Sequence, residues 1–113
     1  MIIGIGVDLV DLARFEEHIT ENPKLAERLF HAVEQQYPMR QLAGSFAAKE
    51  ALVKALGGPE GLSWADIFVF RDNAGKPMLM AEGASAARIA ESGVGKLHLS
   101  ISHDGGMLIA YVI

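Results

Sequence analysis

Residues 39–59 read MRQLAGSFAAKEALVKALGGP, and this stretch decides the fold. Met39 to Leu56 is rich in alanine and leucine, strong helix formers, and contains no proline. Tyr37-Pro38 sets its start, because a residue before proline is steered out of the helical region. Gly57-Gly58-Pro59 stops it, glycine serving the left-handed cap and proline barring continuation. Ala43, Ala47, Glu50, Lys54 and Gly57 are spaced by three or four and share one face. The upper part of that face carries only small side chains, so a sheet can lie close to it. An acid and a base one turn apart project into the contact. They can be read as a solvent-exposed Glu–Lys pair worth about 0.2–0.5 kcal/mol. Phe46, Leu52, Val53 and Leu56 nearby leave little room for a wholly exposed face, which weighs against that reading.

Outward from this helix the chain alternates in short segments. Residues 2–8 have strand periodicity, with Ile3, Ile5 and Val7 on one face and Ile2, Gly4, Gly6 and Asp8 on the other. Asp11 is placed to cap a short helix presenting Leu12, Phe15 and Ile19. Asn22-Pro23 restarts a helix, Asn as cap and Pro at the first position, with Leu25, Leu29 and Phe30 as its apolar stripe. Residues 66–70 and Pro77 to Met80 read as a hairpin around the turn Asp72-Asn73-Ala74-Gly75. Ala84 to Ser92 reads as a helix closed by Gly93. Lys96 to Ser102 alternates as a strand with Leu97, Leu99 and Ile101 on one face. His103-Asp104-Gly105-Gly106 reads as a turn, and Met107 to Ile113 as a last, mostly apolar strand. Tight hairpins need antiparallel pairing. The expectation is one α+β domain over residues 1–113, its long helix packed on an antiparallel sheet.

Bulk composition narrows the class. Of the 113 residues, 50% are hydrophobic and 21% charged, as in globular rather than disordered chains. The absence of cysteine excludes disulfides and thiolate metal sites. No apolar run nears the roughly 20 residues needed to span a bilayer. Met1-Ile2-Ile3-Gly4 is too short and unflanked for a signal peptide, so a cytoplasmic protein that binds no membrane is expected. The net charge of −4 argues against general nucleic-acid binding. Six basic residues (Arg14, Lys24, Arg28, Arg40, Lys49 and Lys54) lie among six acids, so any anion-binding face must be local.

Asp8 follows two glycines that leave its strand face bare, where a bulky group or another backbone could approach. An acid there is a plausible metal ligand, while the plainer reading is that Asp8 and Asp11 cap the next helix. Asp8 and Glu50, from different elements, suit Mg²⁺, which takes one or two carboxylates and completes its shell with water and substrate phosphate. Lys54, one turn beyond Glu50, could reach a phosphate oxygen or a leaving group. His103 could donate to phosphate or simply serve its turn. His18, His31 and His98 lack zinc-site spacing. There is no dinucleotide fingerprint, no P-loop and no nucleophile elbow. Trp64 is expected to be a core or edge anchor.

Several segments together resemble the holo-[acyl-carrier-protein] synthase type of 4′-phosphopantetheinyl transferase. They are Gly4-Ile5-Gly6-Val7-Asp8-Leu9-Val10-Asp11 with Arg14-Phe15, then Phe46-Ala47-Ala48-Lys49-Glu50-Ala51 through Lys54-Ala55-Leu56-Gly57, then Gly75-Lys76-Pro77, then Ser100-Ile101-Ser102-His103-Asp104. They stand in the family's order over nearly the whole chain. The resemblance implies that family's fold. It also implies transfer of the phosphopantetheine arm of coenzyme A to a serine of an apo acyl carrier protein, releasing adenosine 3′,5′-bisphosphate. It assigns Mg²⁺ to Asp8 and Glu50, makes Lys54 catalytic beside them, and gives coenzyme A contacts to Lys54, Gly57, Pro77 and His103. It places Arg14 toward the acidic carrier protein. Lys24, Arg28 and Arg40 are expected to extend that basic face. Small bacterial members are homotrimers with active sites at subunit interfaces. Three departures stand out: Ser45 where a basic residue is common, a short segment between Tyr37 and Arg40, and Gly57-Gly58-Pro59 in place of Gly-Thr-Gly. The first two motivate one alternative, a non-catalytic coenzyme A-binding or assembly module. A Mg²⁺-dependent phosphate-ester hydrolase using the same carboxylates is another.

Overall fold

The long helix has the bounds its sequence predicts. In the computed structural model, which describes residues 1–113, α3 runs Met39–Leu56 and ends on Gly57 at φ +88°. The Gly57 and Gly58 N–H groups donate to Lys54 and Val53 carbonyls (3.2 and 3.0 Å), satisfying the last turn. Ala43, Ala47, Ala48 and Ala51 are fully buried, so the small-residue face is the packed one.

What packs there is strand β1, Gly6–Asp11. A Cβ on Gly6 would lie 1.8 Å from the Ala51 carbonyl oxygen, and one on Gly4 would lie 1.9 Å from that of Ala55. The bare face of the first strand is therefore filled by the backbone of α3, not by a ligand. β1 pairs antiparallel with β5 (Met107–Val112), which pairs with β4 (Leu99–Asp104), in the order β1-β5-β4. Val10, Leu108, Ala110 and Val112 bury the inner face. The hairpin β2 (Ile67–Arg71) and β3 (Pro77–Ala81) forms its own two-stranded sheet rather than joining one continuous sheet. Helices α1 (Leu12–Glu21) and α2 (Pro23–Leu29) precede α3, and α4 (Gly83–Glu91) precedes β4. Phe15 packs against Phe46 (5.5 Å between ring centroids) and edge-on to Phe30 (6.2 Å), fastening α1 to α3. No helix is long and apolar enough to cross a membrane.

Several boundaries differ from the sequence pattern. The first strand starts at Gly6 because β5 ends at Val112, its partner, and residues 2–5 have no strand to pair with. Strand β4 is displaced toward the C-terminus, so His103 and Asp104 belong to it and the turn shrinks to Gly105-Gly106. Gly105, at φ +59°, lets two residues close the hairpin. Helix α4 starts and stops one residue early. Asp11 caps α1 as expected, accepting the Arg14 N–H at 3.1 Å. Asn22 does not cap α2 with its side chain; its amide donates to the His18 carbonyl and closes α1 instead.

Lys49 is no surface cation. It is fully buried, with Nζ 2.5 Å from the Glu34 carboxylate, which is fully buried too. Lys49 also donates to the Leu29 and Trp64 carbonyls, while Glu34 accepts the His31 and Val69 N–H groups. One satisfied network thus ties α2, the 3₁₀ turn Ala32–Glu34, α3, the 3₁₀ turn Trp64–Asp66 and β2 together. Burial pushes the Lys49 pKa down, and Glu34 opposes that shift.

Candidate active site

Strand alternation turns Asp8 toward α3, on the same face as Gly6 and Val10. Lys54, near the end of α3, reaches back across the contact. Its Nζ donates to the Val7 carbonyl at 3.0 Å and to Asp8 Oδ1 at 3.2 Å. The Lys54 side chain is 56% exposed and that of Asp8 18%, so the pair sits at the mouth of the packed region. Glu50, one turn before Lys54, is half-buried. Its pKa is raised, first by loss of water and then by the Asp8 charge, with Trp64 and Lys54 pulling the other way. A cation beside both carboxylates would offset the Asp8 charge that Glu50 meets. Sequence spacing left open whether Asp8 and Glu50 meet; in the fold they line one cleft of about 490 Å³.

The donor set fits a hard, oxygen-seeking dication. No third His, Cys, Asp or Glu joins the two carboxylates into a larger ligand cluster. An ion held by two acids keeps several coordination positions for water and phosphate, as Mg²⁺ does. The rest of the cleft is apolar, walled by Phe15, Ile19, Leu25, Leu29 and Phe46, with Arg14 and His18 among its polar groups.

The other candidates are distributed as follows. Lys24 and Arg28 line an adjoining groove that shares His18 and Leu25 with the first cleft. Arg14, Lys24 and Arg28 are all exposed and none forms an ion pair within 4.0 Å, so they make one basic border. Arg40 lines neither groove and drops out of it. Gly57 is exposed, just past Lys54, with open space where a Cβ would point. Pro77 opens β3 opposite Arg71, and His103 lies on β4 opposite Leu108. Neither lines the Asp8–Glu50 cleft. His103 is two strands across from Val10, about 10 Å away at ordinary strand spacing.

Trp64, expected as a core or edge anchor, is half-buried in the 3₁₀ turn Trp64–Asp66, its carbonyl accepting from Lys49 on α3 at 3.0 Å. Ser45 stands where the family commonly has a basic residue. It is buried in α3, and it does not line the cleft.

Known proteins agree with this architecture. The model of the 4′-phosphopantetheinyl transferase superfamily matches residues 4–112. The holo-[acyl-carrier-protein] synthase of Clavibacter sepedonicus is 52% identical over all of this chain and 95% of its own. That of Kocuria rhizophila is 48% identical over all of this chain and 92% of its own. The crystal structure of the Neisseria meningitidis synthase superimposes with a TM-score of 0.90, at 31% identity, over 99% of this chain and 97% of that one. The Helicobacter pylori synthase, solved in complex with coenzyme A, gives 0.83 at 33% identity over 96% and 97%. With its full-length match and its shared fold, the chain belongs to the 4′-phosphopantetheinyl transferase superfamily, on the holo-[acyl-carrier-protein] synthase branch.

Proposed function

We propose that this enzyme moves the 4′-phosphopantetheine arm of coenzyme A onto a serine hydroxyl of apo acyl carrier protein and releases adenosine 3′,5′-bisphosphate. The observation that carries the reading is the convergence of Asp8, Glu50 and Lys54 at the edge of one cleft. Coenzyme A-bound relatives of the same fold, from Helicobacter pylori among others, support the donor. Asp8 and Glu50 would hold Mg²⁺, which when bound neutralises the pyrophosphate and the charge growing on the leaving phosphate. Lys54, already anchored on Asp8 and the Val7 carbonyl, has one N–H left for a phosphate oxygen. The serine oxygen forms a bond to the phosphorus of the arm as the bond to the bisphosphate breaks. Glu50 is the carboxylate placed to take the serine proton through a water. Gly57, next to Lys54, lets substrate approach the helix end closely.

The direct test is a mixture of the protein, apo carrier protein, coenzyme A and Mg²⁺, followed by mass spectrometry of the carrier. A phosphopantetheine adduct supports the proposal. Tight coenzyme A binding without an adduct points to a non-catalytic module, and phosphate-ester cleavage without carrier points to a hydrolase.

Carrier docking is assigned to the basic border. The apolar cleft beside Arg14, flanked by Lys24 and Arg28, suits an acidic, amphipathic segment. Arg14→Glu should weaken carrier binding about three- to tenfold at low ionic strength and by much less at high salt. Unchanged affinity at low salt, measured by calorimetry, would remove Arg14 from the face.

A homotrimer is part of the same proposal. The outer face of the three-stranded sheet exposes Val7 and Leu9 on β1 and Met107, Ile109 and Tyr111 on β5. Val7 stands opposite Tyr111 and Leu9 opposite Ile109, so the patch is continuous. Contiguous apolar surface of this kind marks an interaction site. If Pro77 and His103 serve the Asp8–Glu50 cleft, they do so from a neighbouring copy, since neither lines it within one chain. Sedimentation should give three times the 12.1 kDa chain mass, and Ile109→Glu should give one. A parent protein that sediments as a monomer would end the trimer proposal. The cytoplasm is the proposed location.

A further inference from the structure

The two strands that flank β5 run on past the stretch in which they pair with it. Gly6 on β1 and Leu99 on β4 face Val112 from opposite sides. Neighbouring strands lie about 4.8 Å apart, so Gly6 and Leu99 stand about 10 Å apart, the spacing that admits one strand between two. One residue further, His98 and Ile113 exchange N–H···O bonds of 3.0 Å in both directions. Residues 1–5 and 94–97 then continue the two walls, and no backbone group in either segment is hydrogen-bonded to another. Antiparallel pairing alternates along a strand. The Leu12 N–H bond to the Gly106 carbonyl and the His98–Ile113 pair fix its phase. The backbone N–H and C=O groups that turn inward are therefore those of Gly4 on one wall and Lys96 on the other. The groove between the walls encloses about 620 Å³. Leu52, which is fully buried, and Ala55 and Leu56 of α3 form its floor. Its side chains are apolar except for Lys96 and His98, which are exposed on the rim. Lys96 has no ion pair within 4.0 Å, and no acid lines the groove. An apolar small molecule would cover the floor but leave the Gly4 and Lys96 backbone unpaired. A strand pairs with both walls and covers the floor with alternate side chains.

We propose that this groove takes an extended peptide of a partner protein. The peptide lies in the direction of β5 between Gly4 and Lys96, with apolar residues toward α3 and an acidic residue beside Lys96. The terminal segments of a second copy, residues 1–5 and 109–113, carry no acid to meet Lys96. The groove shares no residue with the Asp8–Glu50 cleft, so the proposal does not depend on the transfer reaction.

The test titrates isotope-labelled protein with the blocked peptide acetyl-Val-Glu-Val-Thr-amide and follows amide exchange by NMR. Exchange at the Gly4 and Lys96 amides should slow at least about tenfold as the peptide saturates. The amides of Ile3 and Leu97, which point away from the groove, should not change. Methylating the glutamate nitrogen removes the donor to the Lys96 carbonyl and should weaken binding about three- to tenfold. Replacing that glutamate by lysine should weaken binding at low salt and much less at high salt. No slowing at Gly4 and Lys96, or equal slowing at Ile3 and Leu97, would overturn the proposal. Slowing that is present without peptide and grows with protein concentration would give the groove to a second copy and overturn it too. Equal binding by the N-methylated peptide would show a site for apolar chains rather than for a strand, with the same consequence.

Discussion

Asp8→Ala and Glu50→Ala should each lower transfer by about a thousandfold or more, with the protein still folded. Each removes one of two protein ligands for the cation and, with it, about 4 kcal/mol of charge stabilisation at roughly 1.4 kcal/mol per decade of rate. The fold should survive for reasons visible in the packing. Asp8 is held by Lys54 alone, and Lys54 keeps the Val7 carbonyl when Asp8 is gone. Ionisation of Glu50 is opposed by the loss of water and by the Asp8 charge. Its folded-state pKa lies above the unfolded one, so the ionised group opposes folding once the pH exceeds the unfolded value. Glu50→Gln should then be slightly more stable than the parent at neutral pH, and that difference should vanish as the pH falls below the unfolded glutamate range. Thermal melts at two pH values measure this. Near-normal transfer by Asp8→Ala or Glu50→Ala would remove that residue from the site.

The second large effect is on stability. Glu34→Ala or Lys49→Met leaves one charge buried without its partner, which typically costs about 3–5 kcal/mol. Small domains hold about 5–15 kcal/mol in all. The thermal midpoint should fall by roughly 15 °C or more, and urea midpoints should move with it. Replacing both residues with apolar ones should recover only part of the loss. Four backbone partners, the His31 and Val69 N–H groups and the Leu29 and Trp64 carbonyls, would then be stranded. A double variant as stable as the parent, or single variants within 1 kcal/mol of it (roughly the noise of such measurements), would show that the network is not what holds these elements. Because Lys49 holds the Trp64 carbonyl and precedes Glu50, its loss should also disturb the metal pair.

The two predictions differ in how far the sequence foretold them. Helix α3 was legible to the residue because its signals are local: alanine-rich composition, a proline before it and a left-handed glycine after it. The glycine-bare strand was legible too, and the family resemblance named the carboxylates. Strand β4 was misplaced because alternation around Leu97 and Leu99 continues past the strand end; the register comes from β5, which no local pattern encodes. Lys49 read as one more surface cation, since a lysine in a helix is nearly always solvated. Only the packing of the 3₁₀ turn against α3 brings Glu34 to it.

What the sequence determined by itself was the set of elements and their chemistry: a small-faced helix, a strand with room for that helix, and acids placed on both. These follow from backbone propensity and side-chain periodicity, which act over a few residues. What only the tertiary structure decided was which groups meet. Gly4 and Gly6 admit the backbone of α3 to within contact, and that approach sets Asp8 beside Lys54 and within reach of the Glu50 charge. Coulomb interactions and desolvation depend on distance through space, so the raised Glu50 pKa and the buried Lys49–Glu34 pair exist only once the chain has folded.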